Sequence, residues 1–296
     1  MSNLIHSFYG HNRNALEFDH KREDFIIFYQ NCYFCLSSIY AAQSGFNIDL
    51  YTNYEFGQLL DAAPYKDIHN VFEDHDEYAK IDPKIWAWPK FIALDMAPRD
   101  SIHIDGDVFL KDKKCKKHLN FNGYDVIVQH AETYDQSVYF KEFWTDTFES
   151  IKHLDFPTFI DKNVPESMYN NGVLGVRNKV LWNKYRDAYW YMYNQCEKGT
   201  IVKDKNSFCV PDIIFEQYFL KQMCDKGQYA VKSVLDGVTN KELCESAIKK
   251  HYQHICGDKI KRLHQCINLI RKKNIKCYQM LKSNWGDKYP EYFTYE

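Results

Sequence analysis

Residues 101–110 read Ser-Ile-His-Ile-Asp-Gly-Asp-Val-Phe-Leu. Residues 101–104 form a brief apolar strand that runs straight into Asp105-Gly106-Asp107. Two carboxylates one residue apart at a strand end can face a single divalent cation if the backbone turns between them. Gly106 allows that turn without a Cβ clash. Oxygen donors of this kind select Mg²⁺ or Mn²⁺, ions that bind substrate phosphates. An Asp-x-Asp pair is common in loops, and a surface turn is its plain reading. The apolar strand before it, in mid-chain, gives this one its weight.

On either side of this stretch, extended and helical patterns alternate. Strands are expected at 4–9, 48–51, 67–72, 124–129, 167–177 and 229–235. Helices are expected at 24–44, 55–62, 83–97, 138–154, from 178 to about 197, and at 211–226. This alternation is the signature of an α/β sheet with helices on both faces. No repeat or low-complexity linker interrupts it, which favours a single catalytic domain over residues 1–258. Between Ile248 and Lys282 there are ten Lys or Arg and one acid, a local charge of +9. Ile260, Leu263, Ile267, Ile270, Cys277 and Leu281 there approximate a helical stripe. Residues 259–296 are therefore expected to be a basic helical extension packed on or beside the body. Its outer face is either solvated surface or a contact for anionic phospholipid or ligand phosphates.

Composition excludes several classes. The 296 residues are 45% hydrophobic and 26% charged, which excludes disordered and collagen-like chains. Aromatics reach 17%, with 23 Tyr; rings with polar tips suit broad clefts for polar ligands. A net charge of −2 argues against a general affinity for nucleic acid. The ten cysteines are scattered, and the first apolar run, Leu4–Ile5, is broken by His6 and Ser7, so no secretory signal is expected. Free thiols in a reducing cytoplasm fit this pattern, and Cys32-x-x-Cys35, inside a helical stretch with no second pair, reads as buried structural thiols. Residues 25–48 carry no charge, long enough to span a bilayer. Gln30, Asn31, Ser37, Ser38, Gln43, Ser44 and Asn47 punctuate them, so a core helix followed by a strand is the better reading.

At the Asp105-Gly106-Asp107 motif the chain resembles the GT-A-fold glycosyltransferases, in particular family 8-like or capsular-type bacterial enzymes. Several later segments match in order. Lys90, in Trp88-Pro-Lys-Phe-Ile-Ala-Leu94, stands where related families carry a basic residue near the nucleotide phosphates. Asn170-Asn171-Gly172-Val-Leu-Gly175 is similar to the segment placed beside donor and acceptor sugars. Pro211-Asp212-x-x-Phe-Glu216-Gln217 resembles the late acidic helix, and His254-Ile-Cys-Gly257-Asp-Lys259 the C-terminal His-x-x-Gly-x-x-Lys segment. Here the glycine-to-lysine spacing is one residue shorter, and the Pro-Trp that follows in that family is absent.

The resemblance implies a Rossmann-like mixed sheet and a Mn²⁺ or Mg²⁺ ion held by Asp105, Asp107 and His254, with His251 as the alternative third ligand. It implies a nucleoside diphosphate sugar, UDP-linked, beside Lys90, Gly106, Asn170, Gly172, Gly257 and Lys259. Asp212, Glu216 and Asn171 would face the reacting sugar, and the outcome would be retention. The acceptor would be a glycan or glycolipid, and the protein cytoplasmic, at the inner membrane face. The plain alternatives are turn-forming asparagines, a helix N-terminal Asp212, and surface-exposed Glu216, Lys90 and His254. Two other functions compete. One is a haloacid-dehalogenase-like phosphatase using Asp105 and Asp107, although no adjacent acidic pair follows residue 204. The other is a non-catalytic nucleotide-sugar-binding protein.

Overall fold

The computed structural model describes residues 3–9, 23–72, 85–133, 141–196, 211–235, 237, 242, 246, 248–255 and 259–294. Strands β1 (Leu4–Phe8), β2 (Ile48–Thr52), β3 (Ile68–Asn70) and β4 (Ile102–Ile104) run parallel in the order β3-β2-β1-β4. β7 (Ser167–Val176) adds antiparallel to β4, β6 (Val126–Thr133) antiparallel to β7, and β8 (Val231–Ser233) parallel to β6. Among the described residues this makes the seven-stranded mixed sheet flanked by helices that the GT-A resemblance implies. A second pair, β5 (Val108–Leu110) with β9 (Tyr252–His254), was not expected from the sequence pattern. Three-residue strands leave too short an alternation to read.

α1 (Glu23–Gln43) takes up most of the long uncharged stretch that starts at residue 25, and most of its side chains are buried. By length and composition residues 24–43 could cross a membrane, yet 83% of the window lies inside the protein. Its polar residues are matched to partners there. Ser37 donates to the Val108 carbonyl at 2.6 Å, and Asn31 donates to the Leu59 carbonyl and accepts from the Trp285 indole. Such pairing is what allows polar groups to be buried at little cost. Cys32 and Cys35 are buried free thiols.

On this face of the sheet α1 packs with α7 (Leu263–Lys273) and α8 (Ile275–Trp285). The single C-terminal stripe is thus two helices. Asn274 is extended (φ −151°, ψ 96°), and its side chain accepts from Cys277 N to start α8. Leu263, Ile267, Ile270, Cys277 and Leu281 are buried as the stripe implies, whereas Ile260 is exposed. Each buried Leu or Ile contributes roughly 1.5–3 kcal/mol.

The opposite face carries α3 (Trp88–Met96), α4 (Lys141–Ile151), α5 (Lys179–Tyr193) and α6 (Phe219–Gly227). α2 (Tyr54–Gln58) is a short turn after β2. α3 starts later than expected: residues 85–87 are not helical, and the backbone N–H groups of Trp86 and Ala87 donate to the Asp212 carboxylate. Before α6, residues Ile213–Tyr218 form a π-helical turn rather than plain α-helix. The Glu216 carbonyl there accepts from Tyr185 Oη and Asn171 Nδ2, bonds that help hold the wider turn in place.

Candidate functional site

Strand alternation decides which way the motif faces. Ile102 and Ile104 point into the cluster that includes Ala41 of α1. His103, and by the same alternation Asp105, turn toward the face covered by α3. There Lys90 Nζ, in a residue only 7% exposed, lies 3.1 Å from Asp105 Oδ1 and 2.6 Å from Glu216 Oε1, and donates to the Asn171 carbonyl at 3.1 Å. Burial works to lower the Lys90 pKa, but Asp105 and Glu216 outweigh it and raise it, so the ammonium stays charged. Burial raises the Glu216 pKa, with Lys90 opposing it.

Asp107 sits beyond the turn, between β4 and β5. Because β9 pairs with β5 so that His254 lies opposite Val108, the imidazole arrives beside Asp107. His254 Nε2 is 3.4 Å from Asp107 Oδ1, and Lys259 Nζ is 2.9 Å from Asp107 Oδ2. Burial would raise the Asp107 pKa; Lys259 and His254 overcome it and hold the carboxyl well below the usual range. One donor atom from each of Asp105, Asp107 and His254 lies within 4.8 Å of the others. Two carboxylate oxygens and one imidazole nitrogen that converge in this way fit a hard or borderline divalent cation. The Asp105 side chain is 34% exposed and Asp107 7%, so the cluster opens to solvent on the Asp105 side. His251, the alternative third ligand, turns away and lies 3.3 Å from Asp112.

Glycine matters at two positions, through close approach rather than an unusual φ. A Cβ on Gly106 would meet the Phe34 ring at 2.3 Å. The turn at Gly106 uses no positive φ; the residue is small, as the motif implies, because a Cβ there would clash, here with an aromatic ring. A Cβ on Gly172 would lie 2.6 Å from the His254 ring and 2.7 Å from Gln129 Oε1. Gly172 also accepts from Asp105 N through its carbonyl, which ties β7 to the motif.

The structure brings Asp105, Asp107, His254, Lys90, Lys259, Glu216, Asn171 and Gly172 together. Asn170 uses its Oδ1 to accept from Gly172 N, where the β6–β7 register is irregular. Gly257 lies outside the described residues. Asp212 does not join the cluster through its own contacts. Its buried carboxylate accepts from Trp86 N, Ala87 N and Tyr189 Oη, and burial together with Glu216 pushes its pKa up to about 7.

Sequence reasoning missed Gln129. Its Oε1 accepts from Tyr252 Oη at 2.5 Å and lies 2.7 Å from His254 Nδ1. An acceptor on Nδ1 places a proton there and frees Nε2, on the Asp107 side, to serve as the ligand atom when a cation is bound. The one available signal was a polar residue closing the apolar run Val126-Ile-Val-Gln129.

Fold and site define a mixed α/β protein with an Asp-Asp-His cluster of metal-ligand type at the end of its fourth strand. The chain belongs to the family of unknown function DUF6734, whose profile matches residues 2–295. No curated protein sequence matches it. Among solved structures it is similar to the galactosyltransferase LgtC in complex with donor and acceptor sugar analogs, with 11% identity, a TM-score of 0.42, and 86% of this chain and 87% of that one covered. It is similar to the glycosyltransferase GlyE of Streptococcus pneumoniae TIGR4, with 10% identity, a TM-score of 0.38, and 97% and 64% covered. It is also similar to the inositol-1-phosphate CTP transferase from T. maritima, with 11% identity, a TM-score of 0.39, and 79% and 84% covered.

Proposed function

We propose that this protein is a metal-dependent glycosyltransferase that moves a sugar from a nucleoside diphosphate sugar, UDP-linked, to a hydroxyl of a glycan or glycolipid, with retention. One observation carries the reading: Asp105, Asp107 and His254 converge within 4.8 Å, and a lysine stands on each carboxylate. Asp105, Asp107 and His254 would hold Mn²⁺ or Mg²⁺. Such an ion offsets the charge that develops on a departing diphosphate.

The chain's own groups do the rest. Lys90 and Lys259 both remain protonated and can donate to phosphate oxygens, Lys90 from a buried position that Glu216 fixes. Asn171 Oδ1 is buried without a hydrogen-bond partner among the described residues, which supports a role in accepting from a donor-sugar hydroxyl. Glu216 orients Lys90 beside the reacting sugar, and Asp212 acts at one remove by holding residues 86–87 ahead of the helix that carries Lys90. In a retaining reaction the leaving diphosphate can accept the acceptor's proton, so no separate base is needed. Lys261, Arg262, Arg271, Lys272, Lys276 and Lys282 are exposed around α7 and α8, which supports a glycolipid acceptor at an anionic, cytoplasmic membrane face.

A screen of nucleotide sugars for slow donor hydrolysis with Mn²⁺ tests this without knowledge of the acceptor. Release of UDP from one donor, abolished by chelator, is the expected result. Phosphate release from a simple ester with no turnover of any nucleotide sugar would replace the transferase reading with the phosphatase one.

A further inference from the structure

A second convergence of ligand-type side chains lies two strands from β4, where β2 meets the edge strand β3. The parallel register sets Leu50 opposite Ile68 and Tyr51 opposite His69, so Asp49 stands beside Asp67. Alternation then places Asp49, Tyr51, Asp67 and His69 on one face. One donor atom from each of Asp49, Asp67 and His69 lies within 4.8 Å of the others.

Asp49 makes this more than a surface coincidence. It is only 5% exposed; Oδ2 accepts from Asn3 Nδ2, but Oδ1 is buried with no hydrogen-bond partner among the described residues. A buried carboxylate oxygen without a donor is costly, and a cation satisfies it. His69 stacks on Tyr51, ring centroids 4.5 Å apart at 24°, which restricts the imidazole's orientation. Asp67 pairs with Lys66 at 3.2 Å, but both side chains are more than half exposed, and such pairs contribute little. That lysine is easily displaced.

We propose that Asp49, Asp67 and His69 form a second metal site, distinct from the Asp105 cluster, for a divalent ion of the Zn²⁺ type. Two carboxylates and one imidazole are a donor set that zinc accepts in four-coordinate geometry with water in the remaining position. The ion clips the short edge strand β3 to β2. The inference does not depend on the transferase reading.

The test uses the full chain carrying Asp107→Ala, which removes the other cluster, stripped with chelator and titrated with Zn²⁺ alone by calorimetry and thermal melting. The expected result is zinc binding with a rise in melting temperature. Adding His69→Ala should weaken binding at least about tenfold, the loss that even an outer partner of a metal ligand can cause, and abolish the rise. His69 is half-buried, so the metal-free melting temperature should hold; Asp67→Asn, at an exposed carboxylate, should give the same loss. Absence of zinc binding in the Asp107→Ala chain, or binding that neither added substitution changes, overturns the site. Neither result bears on nucleotide binding at Asp105 and Asp107, which is measured separately with UDP.

Discussion

Gln129 decides which nitrogen of His254 faces Asp107, and it does so from a fully packed position. Gln129→Leu removes the acceptor for both His254 Nδ1 and Tyr252 Oη. Mn²⁺ affinity should fall by about 10–100-fold, the usual effect of losing such a partner. Gln129→Glu keeps an acceptor and should restore most of it; equal loss in both variants would show that only packing is involved. Asp212 yields a pH prediction. Its pKa is raised to about 7 in the folded protein, against an ordinary value of 3.8. Between those values the native state holds a proton that the unfolded chain releases, so this group's contribution to stability falls as pH rises from about 4 to 7, then levels off. Denaturant unfolding of wild type and Asp212→Asn across that range should diverge in this direction, by on the order of a few kcal/mol. A pH-independent difference would contradict the raised pKa.

β7 is the element that joins the two halves of the site, because its irregular stretch presents Asn171 to Lys90 while Gly172 leaves room for His254. Gly172→Ala should push the His254 ring and Gln129 apart, cost about 1–3 kcal/mol by overpacking, and weaken metal binding more than it weakens the fold. Calorimetry with Mn²⁺ beside a thermal melt checks this; unchanged metal affinity would place His254 outside the cluster. The elements themselves were largely legible. The apolar run of β6, the long α1 and, Ile260 apart, the stripe of α7 and α8 are buried as their patterns implied. Three features were not. The β5–β9 pair is too short to show a period, the break at Asn274 interrupts a stripe that continues in phase, and the π-turn at 213–218 depends on Tyr185 and Asn171 from distant segments.

At the scale of the molecule, the site collects residues from positions 90 to 259 because the sheet changes direction beside β4. The parallel strands end at Asp105, and the antiparallel β7 and the β5–β9 pair return Asn171 and His254 to the same place. The Asp-Gly-Asp motif and the order of the later segments were readable in the chain. The pairing of each carboxylate with its own lysine was not, because it requires α3 and residue 259 to meet across the fold. In the proposed function this convergence binds a divalent ion and a nucleoside diphosphate together. Titration of UDP into wild type and Asp107→Ala, each with Mn²⁺ and with chelator, measures that claim most directly. Binding is expected only in wild type with Mn²⁺; UDP affinity that survives both chelator and Asp107→Ala would contradict a metal-dependent nucleotide site.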